Sequence, residues 1–332
     1  MVNYIIRRLA IAAVLLVCIA AVSFFIIQLP PGDFATSYKQ FLIQPANLTE
    51  DKAEEMTKLV RQQYGLDQPV YMQFVTWAKG IVTEGKFGYS FAYRKDAGSI
   101  ILDRLPKTIA IALSAHLISS LVGIAAGIYV GQRQYGWADN ILSVIAFILT
   151  SVPRFFMALV VMYVLVFVFN QHHITSFFSP EYAVAPWSWG KGVDLVKHVW
   201  PVILIAGLGG VARNMRVMRG NLLDVLNAQY VTTARSKGLS ETKVINGHAV
   251  PNALHPMVAY QGTALPYMIQ GELEVAIVLG IPTLGPIMMN ALRSQDIYLS
   301  SGVLLVSASL IVIGNLVADL LLAVLDPRIR YS

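Results

Sequence analysis

Few residues in this chain have the types and spacing to do chemistry. Six histidines and a single cysteine, Cys18, leave little from which to build a metal site. His172 and His173 are adjacent, so their side chains diverge on any helix or strand, and His248 and His255 have no acidic partner at ligand spacing. No G-x-S-x-G, H-E-x-x-H or G-x-x-x-x-G-K-[ST] run occurs. Neither a serine hydrolase nor a zinc protease is signalled, and the chain lacks a phosphate loop of its own. If ATP drives this protein, another subunit binds it. The charged residues that stand out are Arg154, directly after Pro153, and Glu272 and Glu274, all set in apolar runs. An ionised side chain at a bilayer centre costs about 2.5–3.5 kcal/mol, so such groups pair or face water. Arg154 is expected to pair with one of the two glutamates, which are two apart and so point to different sides of a helix. The pair would be either a strut between spans or a cargo contact.

The elements that must position these residues are membrane spans. Hydrophobic residues make up 56% of the 332-residue chain and charged residues 13%, and the mean hydropathy is +0.59. A soluble fold would have too little polar surface for that bulk. Disorder, a coiled coil and a secreted disulfide scaffold are excluded by the same composition. The net charge of +6 could suggest nucleic acid, but basic residues on the cytoplasmic side of a membrane protein explain it more simply.

A bilayer core takes roughly 20 apolar residues of helix. Leu9–Leu29, Thr108–Val130, Ile141–Phe169, Met257–Ile281 and Val303–Leu325 qualify, and the first is too long for a cleaved signal peptide. Val199–Ala212 is short, but counting it as a crossing places Arg7, Arg8, Arg133, Arg213, Arg216, Arg219, Arg235, Lys237, Lys243, Arg328 and Arg330 on one side. The expectation is an all-α membrane protein of six transmembrane helices with both termini cytoplasmic. Residues 1–107 form the first span plus an external module, and residues 108–332 a five-helix core whose cytoplasmic loop covers 213–256. In the external segment Pro30–Lys107, Thr49 caps a helix with Ala53, Met56, Leu59 and Val60 as its apolar face, stopped by Gly65. A second helix covers Val70–Val82, with Phe74 and Trp77 inward.

The loop between the fourth and fifth spans reads Gln229-Tyr230-Val231-Thr232-Thr233-Ala234-Arg235-Ser236-Lys237-Gly238-Leu239-Ser240 and continues to Val250-Pro251 and His255-Pro256. Its residues predict a short helix, a glycine stop, a second amphipathic helix and a proline-marked turn into the membrane. This segment resembles the cytoplasmic signature E-A-A-x-x-x-G-x9-I-x-L-P of the permease subunits of binding-protein-dependent ABC importers. It is closest to the Y-V-x-T-A-R-A-K-G-L form of the dipeptide/oligopeptide branch, matched from Tyr230 to Leu239 except at Ser236. Leu29-Pro30-Pro31-Gly32-Asp33, Tyr64-Gly65-Leu66-Asp67-Gln68-Pro69-Val70, Gly85-Lys86-Phe87-Gly88-Tyr89-Ser90, Arg104-Leu105-Pro106-Lys107-Thr108 and Asp326-Pro327-Arg328-Ile329-Arg330 carry the resemblance from end to end.

The resemblance implies the type I ABC importer permease (MetI-like) fold in a bacterial or archaeal inner membrane. It implies a second permease subunit, two cytoplasmic ATPase subunits that bind ATP and Mg, and an external solute-binding protein. No cofactor or enzymatic activity is implied for this chain. Tyr230, Thr233, Ala234, Arg235, Lys237, Gly238 and Leu239 would engage an ATPase subunit, with Thr233 and Ala234 as a small-residue face for close docking. The external segment and the turn Pro282–Asp296 would face the binding protein. Two departures leave the cargo open: Ala276 stands where relatives usually carry Glu, and Arg154 is not usual at its position. Peptides are the default cargo, beside oligosaccharides, opine-like compounds and nickel in the wider family. The alternative is a secondary transporter driven through Glu272, Glu274 or Asp319, which would need inverted halves with broken helices.

Overall fold

The computed structural model describes residues 2–44, 48–171 and 175–325. His172, His173 and the Asp326–Arg330 ending lie outside the described residues. The chain is mostly helical and divides into two compact units, one of Met1–Lys107 with Thr283–Val312 and the other of Thr108–Pro282 with Ile313–Ser332. The helices are α1 (Val2–Ile27), α2 (Phe34–Ile43), α3 (Glu50–Tyr64), α4 (Val70–Glu84), α5 (Ala97–Gly131), α6 (Trp137–Ser151) and α7 (Arg154–Tyr163). They continue as α8 (Pro180–Ala183), α9 (Trp189–Leu226), α10 (Gln229–Ser236), α11 (Glu241–Val244), α12 (Val250–Leu279), α13 (Leu284–Arg293) and α14 (Ile297–Leu325).

Ile6–Ile27, Ala97–Gly131, Trp189–Leu226 and Ile297–Asp319 are long and apolar enough to cross a membrane. Two bent pairs, Trp137–Ser151 with Arg154–Val168 and Pro266–Leu279 with Leu284–Arg293, bring the number to as many as six if each pair is one span. Two of the expected spans are corrected. Val199–Ala212 is only the middle of the 38-residue α9. The helix runs on past Arg213 because Met215, Met218 and Leu222 keep one buried apolar face at helical spacing. Ile141–Phe169 is not one helix. It breaks at Val152-Pro153 with a 99° bend. Pro153 disfavours helical geometry for the residue before it, and Val152 is extended with ψ 126°.

In the first unit, Phe24, Leu66, Trp77, Phe91 and Ile297 form the buried centre. Asp33 caps α2, accepting from the Thr36 amide at 2.8 Å, and holds Arg61 of α3 through Nε at 2.9 Å and Nη2 at 3.0 Å. Burial pushes the Asp33 carboxyl up, but the hydrogen bonds from Arg61 and Thr36 outweigh it and leave the group below its usual range. Gly65 ends α3 at φ +67°. Thr49 precedes α3 without a side-chain cap bond, and the buried face keeps Ala53 and Val60 of the expected stripe but runs through Thr57, leaving Met56 and Leu59 exposed. Tyr89–Ser90 and Lys95–Asp96 (β1 and β2) make a short antiparallel hairpin. Ser90 Oγ and the Ala92 amide donate to the buried Asp296 at 2.6 and 3.0 Å, which ties the hairpin to the start of α14.

In the second unit α9 is central, packed on α6, α7 and α12. It also meets α5 closely. A Cβ on Gly127 would lie 2.6 Å from Met218 Cβ, and one on Gly123 would lie 2.7 Å from the Val211 carbonyl oxygen. Gly123, Gly127 and Gly131 recur every fourth residue, the spacing that lets membrane helices approach backbone to backbone. A polar chain crosses the same interface: Ser120 Oγ donates to Gln261 Oε1 at 2.6 Å, and Gln261 Nε2 donates to Asn214 Oδ1 at 2.7 Å. It joins α5, α12 and α9 through side-chain hydrogen bonds of the kind that hold membrane helices together.

Replacing Gly127 by Ala overpacks this contact, at a cost of about 1–3 kcal/mol. The detergent-solubilised protein should therefore melt several degrees lower. Gly220→Ala, on the same α9 but with open space around its Cβ position, should leave the melting temperature unchanged. Equal melting temperatures for both variants would show that α5 and α9 do not approach so closely.

Candidate functional site

The short helix expected before the glycine stop is present as α10, followed by Gly238 at φ +75°. That backbone conformation is open to glycine and costs other L-residues about 1–2 kcal/mol, so Gly238 sets the reversal that follows the helix. Nothing lies within 4 Å of a Cβ built there; the demand is conformational, not steric. The return limb does not make the expected proline-marked turn. It runs as helix from Glu241 through a wide π-turn at Ile245–Ala249 into α12. The widened turn accommodates Pro251, which lacks an amide hydrogen to donate.

Val231 and Ala234 point inward. They are buried with Met218 and Leu222 of α9, Val244 of α11, Ala249, and Ala253 and Met257 of α12. Ala234, expected beside Thr233 on a docking face, instead seats the helix on its own spans. Tyr230, Thr233, Arg235, Lys237, Gly238 and Leu239 are exposed. Arg235 is tied back onto the hook. Its Nη2 lies 2.7 Å from Glu241 Oε1 and its Nε 3.1 Å from Oε2, so it spans the Gly238 turn. The Arg235 hydrogen bond holds the Glu241 carboxyl below its ordinary range. Glu241 is not among the residues singled out from the sequence alone. Its signal was an acidic residue just beyond a glycine stop, opposite a basic one just before it.

A further tie joins α6 to this end of α9. Arg219 donates through Nε and Nη2 to the two oxygens of Asp139, at 2.6 and 2.7 Å. Asp139, 2% exposed, also accepts from the Tyr135 amide at 2.9 Å. From the sequence alone Arg219 is only a topological charge. A bidentate pair with this burial holds two helices in register.

The pathway candidates are only partly brought together. Arg154 begins α7 directly after the Pro153 bend and is half-buried, while Glu272 is fully buried and Glu274 exposed. As the spacing requires, the two glutamates face different sides of α12. Contrary to expectation, Arg154 forms an ion pair with neither among the described residues. Its guanidinium packs over Gly271, where a Cβ would stand 2.8 Å from Cζ. Arg213 lies with Cζ 5.5 Å from the Tyr267 ring centroid. Arg154, Arg213, Tyr260 and Tyr267 line one small enclosed cavity.

The structure thus joins membrane-length helices to a short helix packed on the ends of two of them, and comparison with known proteins gives this architecture a class. Residues 123–331 match the family described as binding-protein-dependent transport system inner membrane component, and residues 1–112 match that family's N-terminal membrane component. The chain is 30% identical to the oligopeptide transport system permease protein AppB of Bacillus subtilis, over the full length of both. It is 29% identical to a putative peptide permease protein of Brucella ovis and 27% identical to the oligopeptide transport system permease protein OppB of Haemophilus influenzae, again over the full length of each chain. The chain belongs to this family of inner-membrane permeases. It is a multi-pass inner-membrane protein and the permease subunit of an ABC importer.

Because the Glu241 carboxyl is depressed in the folded chain, the stabilisation from the Arg235 strut is present above its unfolded pKa and is lost as pH falls through the lowered folded value. Amide exchange of residues 229–244, corrected for intrinsic rates, should stay slow to a pH below the ordinary glutamate range. Glu241→Gln should speed that exchange severalfold at neutral pH. If the variant exchanged like the parent, the strut would have no part in holding the hook.

Proposed function

We propose that this chain crosses the membrane six times with both ends in the cytoplasm and forms half of a peptide importer. The other half is a second, homologous permease. Two ATPase subunits bind ATP and Mg on the cytoplasmic side, and this chain hydrolyses nothing. An external binding protein delivers cargo to the surface made by Pro30–Lys107 and the turn Pro282–Asp296. The peptide assignment draws on the relatives named for peptide and oligopeptide transport.

The observation that carries the coupling part of this reading is the seat of α10. With Val231 and Ala234 buried against α9, α11 and α12, the outward side of the helix presents Tyr230, Thr233, Lys237 and Leu239 to a partner. A push on that side is delivered to two long helices at once. Gly238 keeps the hook short enough to act as a rigid knob, and Arg235 braces it from within. A two-state motion of the ATPase pair would then change the packing of the spans and open the path to one side or the other.

The bend at Val152-Pro153 is a broken helix of the kind that ion-driven carriers also use, so the energy source decides between the two readings. With both permeases, the ATPases and the binding protein reconstituted in liposomes, uptake of labelled trialanine should require ATP and persist with a protonophore. Gly238→Val should abolish uptake, and with it the stimulation of ATP hydrolysis by loaded binding protein, in a complex that still assembles. Uptake that continued without ATP and collapsed with the protonophore would establish the secondary transporter instead.

A further inference from the structure

Arg154 and Arg213 line the cavity at the start of α7 together with Gly209, Gly210, Tyr260 and Tyr267, and a glycine outside that lining seats Arg154. Gly271 of α12 receives the face of the Arg154 guanidinium. A Cβ on Gly209 of α9 would stand 3.9 Å from the Arg154 Nε and Nη2. Any side chain at Gly271 would displace the guanidinium, so the seat depends on that residue having none. One turn after Gly209, Arg213 projects from α9 toward Tyr267. The charged groups whose fields reach Arg154 are Glu274, which is exposed, and Arg213, which repels it.

Arg154, in the second half of a bent helix pair, and Arg213, in the membrane-length α9, line one enclosed cavity of about 10 Å³, room for a single water, and an anion admitted between the two cations as it widens would relieve their repulsion. Guanidinium groups present planar forks of donors that match a carboxylate in two-point contact. Arg154 spends none of its donors on an ion pair among the described residues. The surroundings suit a path wall. Thr263, Tyr267, Gln270 and Glu274 are all exposed on α12 and recur at helical spacing, which draws a polar stripe along an otherwise apolar span. Polar residues on a membrane helix face the bundle interior or a water-filled cavity.

We propose that Arg154 and Arg213 form a station in the translocation path that binds a carboxylate of the cargo, the C-terminal carboxylate of a peptide or an acidic side chain. This rests on the importer reading above. Tyr267 holds the Arg213 side chain against its ring, Gly271 holds that of Arg154, and Glu274 on the exposed face limits how long the anion stays.

The test uses the assembled transporter in nanodiscs, free of nucleotide, treated with phenylglyoxal, which modifies accessible arginines. Peptide mass spectrometry reads the modification rate at Arg154 and Arg213, with the exposed Arg133 as internal reference. Trialanine should slow modification of both severalfold relative to Arg133, and trialanine amide should not. Ala-Glu-Ala amide, whose only carboxylate is a side chain, tells the two sources apart: protection by it extends the station to acidic side chains, and no protection restricts it to the C-terminus. In an Arg154→Gln complex, trialanine should protect Arg213 less. Rates indifferent to every peptide, or slowed equally by trialanine and its amide, would overturn the proposal, since the arginines would then be covered by a partner or shielded by bulk alone. Uptake of labelled trialanine is followed in parallel. Protection without ATP-driven uptake would defeat the importer reading and leave the carboxylate site standing.

Discussion

The structure of this permease turns on the burial of one small face. Val231 and Ala234 of α10 are buried in one apolar cluster with Met218 and Leu222 on α9 and with Val244, Ala249, Ala253 and Met257 on the return limb. Fully burying a valine side chain is worth about 1.5–3 kcal/mol, and Val231 is completely enclosed. The Arg235–Glu241 pair, by contrast, is open to solvent, and exposed ion pairs add little. Packing therefore holds the hook and the ion pair trims its geometry. Because the packing partners sit on α9 and α12, the hook is mechanically part of those helices.

The second unit is assembled by contacts that serve a membrane helix bundle. Apolar side chains gain nothing by leaving lipid for other apolar side chains, so close backbone approach and shared hydrogen bonds do the work. Gly123, Gly127 and Gly131 supply the first, and Ser120, Gln261 and Asn214 the second. The Asp139–Arg219 clamp does the same nearer the hook, and fastens α6 to the stretch of α9 against which α10 rests. Arg154 stands apart from this economy. It lies over a glycine, next to a second arginine, in a place that suits a passing anion better than a permanent neighbour.

Much of this was legible from residue types and spacing. The apolar runs announced the spans, and Gly238 after a small-residue helix announced the hook with its left-handed turn. Gly65 announced the end of α3. What escaped was whatever depended on a partner distant in sequence. Which side of α10 faces inward could not be read from Val231 and Ala234 alone, because the apolar surface that claims them comes from α9 and α12. Arg219 looked like one more positive charge, since Asp139 is eighty residues away. The length of α9 is hidden because an uninterrupted apolar run ends at Arg213, whereas α9 beyond it is apolar on one side only. Pro153 gave fair warning of a break, but a run apolar on both sides of it still read as a single span.

The central claim is that α10 and the body of α9 move as one piece when the ATPase subunits close. Spin labels at Leu204, exposed on α9, and at Ser236 at the end of α10, in a Cys18→Ala background, measure this directly by pulsed dipolar spectroscopy of the reconstituted complex. The account predicts the same single distance, within about 2 Å, in the nucleotide-free and vanadate-trapped states, while the pair as a body shifts against the other subunits. A change of about 5 Å or more, one helical turn, would mean that the hook slides on its seat and that force reaches the spans by another route.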